Sequence, residues 1–222
     1  MFRSTQRNCI LPQFEHSRLA GMLAWHWGNE VFDRPAINFE AFARGVTLHD
    51  WHYGVFDDHP LGAYDTDEWF AIASAGVDVS YDDPVTDIVA KYHLRRLIGT
   101  PGEPRTEQLV RRLQEKIDAR LAETPYSAQE FEWADRITRF CDSVAFDFGF
   151  EHRGWHERPV FASRRSHQQT QLNYEICQER VIRIHPWPFS VDGFSEQVLI
   201  FPRANYPSVL QPHVILARIE PV

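Results

Sequence analysis

Cysteine is scarce in this chain. Cys9, Cys141 and Cys177 are the three in 222 residues, and no two of them form a CxxC pair. That excludes a zinc ribbon and a disulfide framework and favours a reducing compartment. No apolar run reaches the roughly 18 residues a membrane span requires. The opening string, MFRSTQRNCILPQFEHS, has no hydrophobic leader core, so a soluble cytoplasmic protein is the expectation. Basic residues are outnumbered, with 23 Lys and Arg against 31 Asp and Glu and a net charge of −8. Such a surface repels phosphate backbones, which argues against a nucleic-acid partner. No membrane partner is expected either. Internal repeats and low-complexity linkers are absent.

What is present is an ordinary globular composition, 43% hydrophobic and 24% charged, with seven Trp and eleven His. The apolar pattern changes along the chain. Up to about Phe150 it has helical period, and from about Gln168 it alternates as in strands. This leads us to expect a mainly α (α+β) protein: a multi-helix domain over 1–167 and a β-rich appendage over 168–222, packed as one structural unit. The appendage reads as an antiparallel sheet of three or four strands.

Helices are expected over Glu15 to Trp27, after Asn38, from Asp83-Pro84 to Gly99, from Thr106, and from the capping box Ser127-Ala-Gln-Glu130 onward. Between them, Trp51 to Asp82 reads as a long loop rich in Asp, Gly and aromatics. Loops of that length are uncommon unless they are functional or carry helical turns. Strands are expected around Leu172 to Ile176, Val181 to Ile184, Val198 to Phe201 and Val214 to Ile219.

The chemistry concentrates on His49-Asp50, at the end of the second helix. Neighbours on a helix point about 100° apart, so both reach one ion only if it lies between their directions. Further ligands must come from other helices. His16, on the inner face of the first, and Asp142, on the inner face of the last, are candidates, with Asp135 two turns earlier as a competitor. Two imidazoles and two carboxylates suit a divalent Mn, Fe, Zn, Co or Mg ion and leave positions for water and a phosphate oxygen.

The ordered pattern His16, His49-Asp50, Asp142 resembles the HD-domain metal-dependent phosphohydrolase superfamily. The strings His16-Ser-Arg-Leu-Ala-Gly21, Trp25-His-Trp-Gly28, Leu48-His-Asp50, Tyr92-His93, Phe140-Cys-Asp142 and His185-Pro-Trp-Pro-Phe189 resemble a bacterial domain-of-unknown-function family with an HD-like signature. The resemblance implies an HD-like helical domain, a metal held by His16, His49, Asp50 and Asp142, and a small phosphorylated substrate. It also implies that His93 matches a histidine that in HD proteins serves a second metal or the substrate phosphate. The segment Trp51-His52-Tyr53-Gly54 departs from the pattern, where an acidic residue or glycine before tryptophan is expected.

The implied function is hydrolysis of a phosphoester or phosphoanhydride, with His93 stabilising charge or protonating the leaving group. Two alternatives remain at this level. A di-iron oxygenase-type centre would draw on extra histidines such as His52 and His93. A non-catalytic binding or regulatory domain would use the polar cluster only as a buried network. His26, between two tryptophans, reads as packing. Arg153, Arg158, Arg164 and Arg165 read chiefly as a solvated run, and His52, His59, His152 and His156 as loop residues, of which one or two could line the site. The stiff His185 to Phe189 segment reads as a plug between sheet and helices rather than a lid.

Overall fold

A computed structural model of the chain describes residues 2–4, 6–58, 65–99, 104–161, 169–204 and 206–222. Among these the elements run β1 (Phe2–Ser4), β2 (Cys9–Leu11), α1 (Gln13–His26), α2 (Phe39–Leu48), a 3₁₀ segment (Trp51–Asp58), α3 (Thr66–Asp78), α4 (Pro84–Ile98), α5 (Pro104–Leu121), α6 (Ala128–Phe150), β3 (Gly154–Phe161), β4 (Gln169–Ile176), β5 (Val181–His185), β6 (Phe194–Pro202) and β7 (His213–Pro221).

The helix starts follow local chemistry. The Asn38 side chain accepts the Ala41 N–H at 3.0 Å. Asp83 caps Thr86 at 2.8 Å ahead of Pro84, and Ser127 and Glu130 form a reciprocal capping box. The helix expected from Thr106 begins earlier, at Pro104, and Thr106 lies buried in its first turn. The expected loop after Trp51 is largely helical. Asp65 and Glu68 form a second capping box and open α3, whose buried residues include Ala73 and Val77.

The sheet corrects the expected fold class. Among the described residues it has seven strands in the order β1-β2-β6-β7-β5-β4-β3, and β5 and β7 run parallel while every other pairing is antiparallel. The protein is therefore an α+β fold with a large mixed sheet, not an HD-like helical domain with a small antiparallel one. The physical reason lies at both ends of the expected sheet. A hairpin of two three-residue strands, β1 and β2, joins through Cys9 and Ile10 to β6. The polar strand β3 pairs with β4 along its whole length. β7 then inserts between β6, its hairpin partner, and β5, which forces the parallel pairing.

One continuous core joins sheet to helices. Leu172, Tyr174, Ile176, Ile182, Ile184, Ala217 and Ile219 from the strands meet Phe140, Val144 and Phe148 of α6 within it. The His185 to Phe189 segment plugs the junction. Phe189 is buried, Trp27 and Phe189 form a backbone bridge, and the Asn29 side chain donates to Trp187 O at 2.8 Å. His26 packs its ring 4.2 Å from that of Phe194. No described helix is long and apolar enough to cross a membrane.

Two glycines set the helix spacing that the site depends on. A Cβ on Gly21 of α1 would fall 2.0 Å from Thr47 Oγ1 and 2.9 Å from Thr47 Cα on α2. A Cβ on Gly45 of α2 would fall 2.6 Å from Val89 Cβ and 2.9 Å from Thr86 O on α4. Without side chains at these points, α1, α2 and α4 close up and carry His16, His49 and His93 toward one place.

Candidate metal centre

His16, His49, Asp50 and Asp142 come together, each offering a ligand atom within 4.8 Å of the others. The imidazoles and carboxylates alternate. His16 Nε2 lies 3.1 Å from Asp142 Oδ1 and 3.4 Å from Asp50 Oδ2. His49 Nε2 lies 3.4 Å from each of the same two oxygens. Ligands bonded at about 2.0–2.2 Å around a tetrahedral or octahedral ion stand roughly 3–3.5 Å from their neighbours. The four separations match that spacing, so this cluster can hold a metal ion.

His49 is prepared for the role. It stands at the C-cap of α2, where the helix leaves carbonyls without partners. Its Nδ1–H donates to Val46 O at 2.5 Å, and Tyr81 Oη donates to Leu48 O at 3.1 Å. With Nδ1 committed to backbone, Nε2 faces the carboxylates, and it is buried without a hydrogen-bond partner. Metal-binding histidines are commonly oriented this way through their other nitrogen. His16 is held differently, by ring stacking on Phe2 at 4.5 Å. Asp142 is the most exposed of the four, at 18% of its side chain, and gives the cluster its open side.

His93 and Arg96, one turn apart on α4, form the next layer. His93 Nε2 lies 2.8 Å from Asp50 Oδ1, and Arg96 Nη2 donates to His93 Nδ1 at 2.9 Å. A guanidinium only donates, so the neutral ring must carry its proton on Nε2. Arg96 also reaches Asp142 Oδ2 at 3.3 Å and pairs with Asp135. Asp135, the competing ligand in the sequence, therefore sits one layer out as the anchor of Arg96. The arginine partner of Asp142 thus comes from α4.

The electrostatics follow from burial and alternation. Burial alone would lower His49, but the charge of Asp50, with Asp142, outweighs it and raises the imidazole from 6.5 to about 10. His16 is raised too: burial opposes the change, and Asp142 and Asp50 override it. Burial pushes Asp50 and Asp142 upward, yet the surrounding imidazoles hold both well below 3.8. Burial prevails at His93, which is lowered. Two acids and two bases thus hold each other charged until a cation displaces the imidazole protons.

Other histidines lie elsewhere. His52 packs on Tyr53 with ring centroids 3.9 Å apart, and burial depresses it to about 4. It shares a small cavity with Lys91, whose ammonium donates to Asp87 at 2.8 Å. A buried cation beside His52 disfavours a second metal there. His152 Nδ1 and His156 Nδ1 gather on Asp147, at 2.9 and 3.3 Å, together with Tyr174 Oη, which donates to it at 2.5 Å. Arg153 pairs with Glu151 and Arg158 Nη1 donates to Glu157 O. His59, Arg164 and Arg165 lie outside the described residues.

Sequence reasoning missed Arg96 and the walls of the cavity beside the cluster, lined by Phe2, Gln13, Tyr53, Trp69, Leu97 and Phe146 with Asp50, His93 and Asp142. Arg96 was findable, three residues after His93 and so on the same face. The walls were not, since they come from β1, the 3₁₀ segment and four helices.

A family model described as a protein of unknown function, DUF3891, matches residues 1–200. The chain belongs to that family. No curated protein and no solved structure matches it. Nothing in the comparisons links this DUF3891 member to HD hydrolases, and its large mixed sheet is not that of an HD-like helical domain.

Proposed function

We propose that this protein is a metal-dependent hydrolase acting on a phosphoester or phosphoanhydride of a small molecule. The observation that carries the reading is the alternating ring of His16, Asp50, His49 and Asp142, with separations of 3.1–3.4 Å and a cavity against its open side. The order of these residues in the chain resembles that of HD-type hydrolases, and this supports the class of chemistry without any likeness of fold.

Nitrogen and hard oxygen donors in equal number suit Mn, Fe, Zn, Co or Mg. Such an ion, when bound, acidifies water and polarises a phosphoryl oxygen. The protein's own groups do the rest. His16 and His49 bind as neutral imidazoles, and Asp50 and Asp142 offset the ion's charge. His93 lines the cavity and holds its Nε2 proton against Asp50 Oδ1, and from this pair the leaving oxygen would be protonated or its charge stabilised. Arg96 fixes that tautomer and adds positive charge near Asp142. Lys91 beside His52 favours a single ion over a dinuclear oxygenase centre.

The test is turnover of 4-nitrophenyl phosphate and of inorganic pyrophosphate by protein loaded in turn with each of the five metals. Hydrolysis that a chelator abolishes and one ion restores, reduced at least about 100-fold in Asp50→Ala, is the expected result. Absence of turnover with every metal contradicts the proposal.

A further inference from the structure

The cavity against the cluster has a volume of about 170 Å³, and its walls are mostly aromatic: Phe2, Tyr53, Trp69 and Phe146, with Leu97. Pockets for drug-sized ligands run to about 300–1,000 Å³, so this one suits a smaller molecule. Its polar end is the His/Asp cluster. Its other distinctive polar group is Gln13, the first residue of α1.

Gln13 is only 3% exposed, and its Oε1 is buried without a hydrogen-bond partner. Its backbone is held in place, because the Gln13 N–H donates to Asp57 Oδ1 at 2.9 Å. An amide oxygen buried unpaired is costly unless something meets it. The amide offers both a donor and an acceptor, whichever way its O and N are assigned.

We propose that the cavity binds a small aromatic ligand with a hydrogen-bonding ring substituent, such as an amide or hydroxyl, which Gln13 meets while the ring lies among Trp69, Phe2 and Phe146. Resting on the hydrolase reading, the substrate class is a phosphomonoester of a small aromatic alcohol, its phosphoryl group directed at the open side of the cluster, where the ion would stand. Polyphosphate chains are disfavoured, because the walls are apolar and the charged residues lining the cavity, Asp50 and Asp142, are acidic.

The test is binding to the full chain, by calorimetry, with probes that are not hydrolysed. Phenylphosphonate is expected to bind at least about tenfold more tightly than methylphosphonate, because the ring is buried among apolar side chains. Trp69→Ala, a change on the partly exposed α3, is expected to remove most of that preference. Benzamide, which needs no metal, is expected to weaken about threefold or more in Gln13→Leu, while phenylphosphonate changes less than twofold. Equal affinity for the two phosphonates overturns the aromatic assignment, and unchanged benzamide binding in Gln13→Leu overturns that of Gln13. The wild-type comparison of phosphonates holds even if a variant fails to fold. Benzamide binding to a protein that takes no metal keeps the cavity inference and removes the hydrolase reading. Metal-dependent turnover with no preference for aryl over methyl esters does the reverse.

Discussion

His49 Nδ1 meets the carbonyl oxygen of Val46 at 2.5 Å, in the last turn of the helix that ends in His49-Asp50. That carbonyl also accepts the His49 backbone N–H at 3.4 Å, and the contact leaves the opposite ring nitrogen aimed at Asp50 and Asp142. In the metal-free protein that nitrogen carries a proton, since the imidazole is raised to about 10. Binding a metal must release it. Metal affinity is therefore predicted to rise with pH across the neutral range, by about tenfold per unit for each proton displaced. Competition titrations at pH 6, 7 and 8 check this, and a pH-independent affinity contradicts it.

The same groups govern stability once the metal is chelated. His49 and His16 are raised, so their contribution is complete below the unfolded value of 6.5 and is lost as pH rises, through about 10 for His49. Asp50 and Asp142 are lowered, so theirs is present above about 3.8 and is lost in acid. Among these groups the chelated protein is predicted to be most stable between about pH 4 and 6.5. Thermal melts across pH should show that maximum and a decline toward pH 10. Saturating metal should raise the melting temperature at neutral pH.

Gly21→Ala tests the helix spacing. Its methyl group would meet Thr47 Oγ1 at 2.0 Å and Thr47 Cα at 2.9 Å. Moving a threonine side chain is cheap, whereas moving its backbone is not. The variant is predicted to lose about 1–3 kcal/mol of stability and to bind metal more weakly, because α1 carries His16 and α2 carries His49. Chemical denaturation beside metal titration reports both. Wild-type values in each would show that the α1–α2 approach does not set the site.

The helical half of the molecule was legible because its signals are local. Asn38, Asp83 and Ser127 announce helix starts, and inner-face positions on α1 and α6 pointed to His16 and Asp142. The sheet was only partly legible. β1 and β2 have three residues each, too few for an alternating pattern to register. β3 contains His156, Glu157 and Arg158 in succession and is defined by its pairing to β4, a long-range fact. α3 was legible from Asp65 and Glu68 yet was obscured by the glycines and acids around it. Gln13 and the aromatic walls depend on tertiary assembly, which no window of sequence displays.

Arg96→Met separates positioning from metal binding. Arg96 holds His93 Nδ1 at 2.9 Å and touches Asp142 at 3.3 Å, yet it contributes no ligand. The variant is predicted to retain metal while kcat for an aryl phosphate falls at least about tenfold, with KM little changed and the pH profile displaced as the His93 tautomer is released. Full activity with an unchanged profile would remove Arg96 and His93 from the mechanism.

The central claim is that His16, His49, Asp50 and Asp142 form one coordination sphere. Elemental analysis of the protein after metal loading and desalting, beside Asp50→Ala and Asp142→Ala, addresses it most directly. The account predicts about one ion per chain in the wild type and little in either variant, with both still folded. Full metal content in the two variants, or none in the wild type with any of the five ions, would contradict it.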